Sequence, residues 1–164
     1  MILIISDIHD NLVNLEKCLN WGKANNATGV ICCGDITNAE TIGFMSRNFS
    51  GPITAIRGNM EVYDDTDFIP YKNFNYLGRY GVIEIEGKKI GLCHEPDFID
   101  DVLKLSRDLV YIFYGHTHKP WLEDKDHVTR VNPGTLGGVF QKATFATWEP
   151  ATNKIELKLL ETLN

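Results

Sequence analysis

Asp7 with His9, Asp35, Asn59, His94, and His116 with His118 make a set of carboxylate, amide and imidazole donors spread from position 7 to position 118. Such oxygen and nitrogen ligands suit divalent transition ions. Each follows a short apolar run: Ile2–Ser6 before Asp7, Gly29–Cys33 before Gly34-Asp35, Ile53–Arg57 before Gly58-Asn59, Ile90–Cys93 before His94, and Val110–Tyr114 before Gly115-His116-Thr117-His118. Parallel strands of an open sheet gather their carboxyl ends along one edge, so these donors are predicted to converge on one site. Four of the chain's five histidines lie in this set, whereas His127 sits in the charged stretch Glu123–His127 and reads as a solvated hairpin or loop residue.

The spacing adds detail. In an extended segment Asp7 and His9 fall on the same face, two residues apart, and so do His116 and His118, although a loop there could aim the two rings at two neighbouring ions. Seven donors exceed one tetrahedral site and suit a pair of metals sharing a carboxylate, with Asp35 as the candidate bridge. Gly34, Gly58 and Gly115 each precede a ligand, where a missing Cβ allows a sharp turn and close backbone approach. Asn11 is either the N-cap of the helix that follows or a phosphate contact, and a helix N-terminus permits both.

The elements that must position these residues read as βαβαβ and then a β-rich remainder. Met1–Ser6 is a strand, and Leu12, Leu15 and Leu19 begin an amphipathic helix running to about Asn25. Gly29–Cys33 and Ile53–Ile56 are strands flanking a helix over Asn38–Phe49, with Ile42, Met45 and Phe49 on one stripe. Asp64–Asp67 and Tyr71–Asn73 form a polar stretch. Val82–Glu86 turns through Gly87-Lys88 into Lys89–Cys93, Phe98–Leu105 is a helix, and Leu109–Tyr114 a buried strand. Val128–Val131, Val139–Trp148 and Lys154–Leu160 are further strands, from which a second sheet packed on the first is expected. Residues 1–164 show no linker or repeat and are read as one domain.

Composition limits the function. With 43% hydrophobic and 23% charged residues the chain is ordinary globular protein. A formal charge of -6 gives no long-range attraction for nucleic acid or anionic lipid, so positive charge at the site must come from bound metal. No segment approaches the roughly 20 apolar residues of a membrane span, and the N-terminus lacks a signal-peptide pattern, so a cytoplasmic protein is expected. Cys18, Cys32, Cys33 and Cys93 lack framework spacing and read as buried thiols, with Cys93 on the strand face opposite His94.

The order Asp7-x-His9, Gly34-Asp35, Gly58-Asn59, an isolated His94 and Gly115-His116-x-His118, followed by Asn132-Pro133-Gly134-Thr135, resembles the calcineurin-like metallophosphoesterase superfamily, in its compact prokaryotic phosphodiesterase branch. The resemblance implies an α/β fold, a four-layer α/β/β/α sandwich of two mixed sheets flanked by helices. It implies two divalent ions, Mn²⁺ foremost with Ni²⁺, Fe²⁺, Zn²⁺ or Mg²⁺ as alternatives. Asp7, His9, Asp35 and His118 would hold one, and Asp35, Asn59, His94 and His116 the other. Asp35, Asn59 and His94 would form the catalytic core, and Asn11 and Asn59 would meet the phosphate. A hydroxide shared by the ions would attack phosphorus in a small phosphodiester. Nucleic acid is disfavoured by the charge, and a homo-oligomer is left open.

Three positions depart from the family pattern. Met60 stands where many phosphomonoesterases of the superfamily have a histidine that aids the leaving group, and methionine carries no transferable proton. Asp10 replaces a common glycine, and Glu95 a common small residue. Each acid, like Glu61, is either a partner that orients a ligand histidine or a surface residue. The rival function is a protein-binding scaffold with a vestigial metal site, like the metallophosphoesterase-fold subunit of the retromer coat.

Overall fold

The computed structural model describes residues 1–163. Strands β1 (Ile2–Ile5), β2 (Gly29–Cys32) and β3 (Ile53–Ala55) are short, apolar and almost wholly buried, as parallel strands covered on both faces must be. The second half supplies β4 (Phe74–Tyr76), β5 (Tyr80–Ile85), β6 (Lys88–Cys93), β7 (Leu109–Phe113), β8 (Trp121–Lys125), β9 (Val128–Asn132), β10 (Thr144–Glu149) and β11 (Lys154–Leu159). They form a six-stranded sheet in the order β11-β10-β1-β2-β3-β4 and a five-stranded sheet in the order β5-β6-β7-β9-β8. Both are mixed: β1 to β4 run parallel and β10 antiparallel to β1, while β6, β7 and β9 run parallel between antiparallel edges.

The two-residue period of a strand sorts side chains into three cores. Leu3, Ile5, Val30 and Cys32 pack under α1 (Leu12–Ala24) and α2 (Ala39–Asn48), which bury Leu15, Leu19, Ile42 and Met45 against them. Ile2, Ile4, Ile31 and Cys33 face Ile90, Leu92, Tyr111 and Phe113 of the other sheet. Cys93, Ile112 and Tyr114 turn outward to Ile99 and Val102 of α3 (Ile99–Leu105). Three interfaces separate four layers, α/β/β/α. Burial of each large aliphatic side chain here contributes roughly 1.5–3 kcal/mol.

Two expectations are corrected. The strand predicted from Val139 begins only at Thr144, because Gly138 and Phe140 take left-handed backbone angles (φ +75° and +62°) that no strand accommodates. The β-rich C-terminal third is divided between the sheets: β8 and β9 join the second, while β10 pairs antiparallel with β1, Ile4 opposite Ala146, and so extends the first. Strand β4 was hidden by its length of three residues and its polar surroundings. The carboxyl ends of β1, β2, β3, β6 and β7 carry the loops that hold every candidate ligand.

Candidate metal centre

The ligand loops leave the strands abruptly. Asp7, His9, Asp35, His116 and His118 all have positive φ, between +46° and +69°. Aspartate and histidine are among the side chains most often found in this region, but each such residue still costs on the order of 1 kcal/mol. The turns are therefore left-handed, and it is this geometry, not an extended segment, that brings Asp7 and His9 to one place. Backbone bonds hold it: Asp7 N–H donates to the Gly34 carbonyl (3.0 Å), Ile8 and His9 N–H to the Asp35 carbonyl (2.9 and 3.1 Å), and Gly115 N–H to the His94 carbonyl (3.0 Å). A Cβ at Gly58 would fall on Asp35 Oδ1, and one at Gly115 on Ser6 Oγ, so these two positions exclude any side chain.

All seven predicted ligands meet. One atom from each of Asp7, His9, Asp35 and His118 lies within 4.8 Å of every other. His118 Nε2 is 3.2 Å and His9 Nε2 4.0 Å from Asp7 Oδ1, and the two imidazole nitrogens are 3.3 Å apart. On the other side of Asp35, His94 Nε2 is 3.4 Å from Asp35 Oδ1 and 2.9 Å from Asn59 Oδ1, and His116 Nδ1 is 2.9 Å from the same Asn59 oxygen. Asp35 Oδ2 meanwhile lies 3.7 Å from His9 Nε2. The two oxygens of one carboxylate thus address two donor groups.

Backbone carbonyls set the rings, a role for which the sequence held no signal. His94 Nδ1 donates to the Cys33 carbonyl (2.7 Å) and His118 Nδ1 to the Val139 carbonyl (2.9 Å). A carbonyl only accepts, so each Nδ1 carries the hydrogen and each Nε2 presents its lone pair inward. Asp7 is fully buried, and its Oδ1 has no hydrogen-bond partner, while Oδ2 accepts the His116 N–H (3.1 Å). A buried unpartnered carboxylate oxygen facing imidazole lone pairs is unstable without a cation, so the donor set fits a divalent metal.

Charge follows the same geometry. Burial raises the pKa of Asp7 despite the opposing pull of His94 and His118. Burial also acts upward on Asp35, but its hydrogen bond and attraction to His94 outweigh it and hold the carboxyl below the usual range. His94 is pushed down by burial and up by Asp35 and Asp7, with a net rise. All four cysteines are buried and unpaired, their thiols raised by burial, and Cys93 at about 12 lies in the outer core, turned from the site.

The acids Glu61, Asp10 and Glu95 orient no imidazole. Glu61 accepts the N–H groups of Ile36 (3.2 Å), Thr37 (2.6 Å) and Gly58 (2.9 Å), tying the Asp35 loop to the Asn59 loop. Asp10 accepts the Asn38 N–H (3.1 Å) and Thr41 hydroxyl (2.6 Å), capping α2, whose own Asn38 makes no side-chain cap. Glu95 bonds no ligand histidine. Asn132 donates to the Gly115 carbonyl (2.7 Å) and Thr135 to the Asp7 carbonyl (3.0 Å), so the Asn132–Thr135 segment braces two ligand loops. Asn11 caps α1 by accepting the Asn14 N–H (3.1 Å) and donates to the Gly137 carbonyl (2.9 Å). His127 lies exposed in the β8–β9 turn.

A cavity of about 440 Å³ opens over the ligands, with Met60, Val139 and Phe140 forming its apolar side. A larger hollow of about 550 Å³ along the outer face of α1 holds none of these donors, so chemistry selects the smaller one. Residues 1–153 match the calcineurin-like phosphoesterase superfamily domain. The chain belongs to that superfamily. Among calcineurin-like relatives, phosphodiesterase MJ0936 of Methanocaldococcus jannaschii is 29% identical over 145 residues, 82% of this chain and 83% of its own length. A solved archaeal phosphodiesterase shares the fold with a TM-score of 0.85 at 24% identity, over 96% of this chain and 98% of that one. Vps29 of Entamoeba histolytica, solved as a single mutant, gives 0.68 at 19% identity over 96% of both chains. These two structures show the calcineurin-like fold alone. Among the described residues no helix is long and apolar enough to cross a membrane.

Proposed function

We propose that this chain is a metal-dependent phosphodiesterase with a dinuclear centre, Mn²⁺ being the first metal to test. Asp7, His9, Asp35 and His118 would hold one ion, and Asp35, Asn59, His94 and His116 the other. Asp35 carries the reading, because its two oxygens turn toward two separate imidazole groups. Bound there, two divalent ions supply a hydroxide at neutral pH and positive charge for the phosphate oxygens.

The protein's own part is positional. The carbonyls of Cys33 and Val139 keep His94 and His118 aimed inward, and the bare backbone at Gly58 and Gly115 leaves room for close approach. Exposed Asn59 and His116 form the open side, where a phosphate can enter. Met60, 56% exposed beside Asn59, offers the leaving oxygen no proton. Absence of a general acid lowers rates by about 10²–10⁴-fold, least where the leaving group is stable as an anion. Activated diesters are then favoured over alkyl monoesters.

The scaffold alternative would be favoured by a contiguous apolar patch on the C-terminal third. Of the exposed apolar residues there, Trp121 and Leu122 are neighbours on β8 that point to opposite faces, Leu157 lies on β11, and Phe140 stands at the metal cavity. The test is hydrolysis of bis(p-nitrophenyl) phosphate by metal-free protein and after addition of Mn²⁺, Ni²⁺, Mg²⁺ or Zn²⁺. Metal-dependent turnover, faster than on p-nitrophenyl phosphate and lost in an Asn59→Ala, His94→Ala double variant, is expected. Retained activity in that variant refutes the second metal group, and equal rates on the two esters refute the diester preference.

A further inference from the structure

Phe140 is 91% exposed, and its backbone is left-handed at φ +62°. Both features are unfavourable for phenylalanine: a large apolar ring gains nothing from water, and this backbone region favours glycine, asparagine or aspartate. The loop that carries it is not loose. Leu136 N–H donates to the Ser6 carbonyl (2.9 Å), Gly137 N–H to the Asp7 carbonyl (2.9 Å) and Gly138 N–H to Thr135 Oγ1 (3.2 Å). The adjacent Val139 carbonyl is the one that fixes His118, and the Phe140 ring centre lies 5.7 Å from that of His118. An aromatic face is thus held in a strained position at the wall of the metal cavity, with Met60 also lining it. Local strain of this kind persists where the surroundings impose it, and it points toward a use.

The cavity's charge narrows that use. Among the described residues no lysine or arginine lines it, and the chain's formal charge is -6. Nothing in the wall compensates the second negative charge of a phosphomonoester, whereas a diester carries a single charge and a second organic substituent. We infer that Phe140, with Met60, is a specificity-determining wall that receives a planar aromatic substituent of a phosphodiester monoanion. The aromatic ring could belong to a simple aryl ester or to a nucleoside. The inference rests on the diester reading for its phosphate, but the wall is testable by binding alone.

The experiment is titration calorimetry of the Mn²⁺-loaded protein with diphenyl phosphate and with dimethyl phosphate, on wild type, Phe140→Ala and Phe140→Tyr. Phe140 is exposed on a loop, so these variants keep the core, and their bound Mn²⁺ is measured alongside. Wild type should bind diphenyl phosphate more tightly than dimethyl phosphate. Phe140→Ala should weaken diphenyl phosphate about three- to tenfold, the range expected for one aromatic contact, while leaving dimethyl phosphate unchanged. Phe140→Tyr should restore the preference. A nucleoside methyl phosphate binding as tightly as diphenyl phosphate would assign the ring to a nucleobase, and weaker binding to a simple aryl group. Equal binding of the two diesters by wild type, or an unchanged preference in Phe140→Ala, overturns the inference. Aryl preference without diester hydrolysis sinks the diesterase reading alone, and hydrolysis without that preference sinks the wall alone.

Discussion

Asp7 is a carboxylate whose surroundings leave one oxygen without a protein partner. Fully buried, with one oxygen unpartnered among imidazoles, it makes the metal-free state electrostatically costly and gives bound metal its leverage. His94 makes the same point in a range that can be titrated. Its pKa lies above the ordinary 6.5, because Asp35 and Asp7 outweigh burial. A histidine raised in the folded state contributes stability that is complete below pH 6.5 and is lost as pH rises through the raised value. Asp7, raised above 3.8, likewise contributes least at high pH, whereas lowered Asp35 loses its contribution only in acid. The melting temperature of metal-free protein is therefore expected to fall as pH rises from 6.5 through the raised pKa of His94, and to fall less in His94→Gln. Metal binding requires deprotonated ligands, so the stabilisation by Mn²⁺ should grow over the same interval. A metal-free melting curve that is flat across this range in wild type would contradict the assignment.

At the scale of the element, the site depends on loops kept in register by side chains that touch no metal. Glu61 joins the turns after β2 and β3 through three backbone N–H groups. Glu61→Ala should cost about 2 kcal/mol. That corresponds to a melting temperature lower by about 4–8 °C in a chain of this size. It should also weaken Mn²⁺ binding about 10- to 100-fold, as loss of supporting contacts does at other metal sites. Stability lost with unchanged metal affinity would leave Glu61 a purely structural staple. The strands were legible because Ile2–Ile5, Gly29–Cys32 and Leu109–Phe113 are apolar runs ending at glycine or a ligand. The ligands were legible because side-chain type determines what can hold a metal. The Glu61 staple and the Asp10 cap were not, because Glu61 reaches the amides of Ile36 and Thr37, and Asp10 the Asn38 amide and Thr41 hydroxyl, all more than 20 residues away in sequence. Nor was the left-handed path through Asp7 and His9, which aspartate and histidine allow but do not announce.

In the molecule as a whole, two sheets place the carboxyl ends of the five ligand-bearing strands along one rim. The first sheet brings Asp7, His9, Asp35 and Asn59, and the second His94, His116 and His118. Neither sheet alone completes a donor group, so packing of the central core, Ile4 and Ile31 against Leu92 and Phe113, is what assembles the site. The family and the four layers were legible from the order of motifs, but the division of the C-terminal strands between sheets was not, since β9 and β10 are both short, largely buried strands whose inner partners lie far away in the chain. The most direct measurement is a crystal structure of Mn²⁺-loaded protein with anomalous scattering recorded at the manganese edge. Two peaks are expected on either side of Asp35, one among Asp7, His9 and His118 and the other among Asn59, His94 and His116. A single peak, or peaks away from Asp35, would contradict the paired centre.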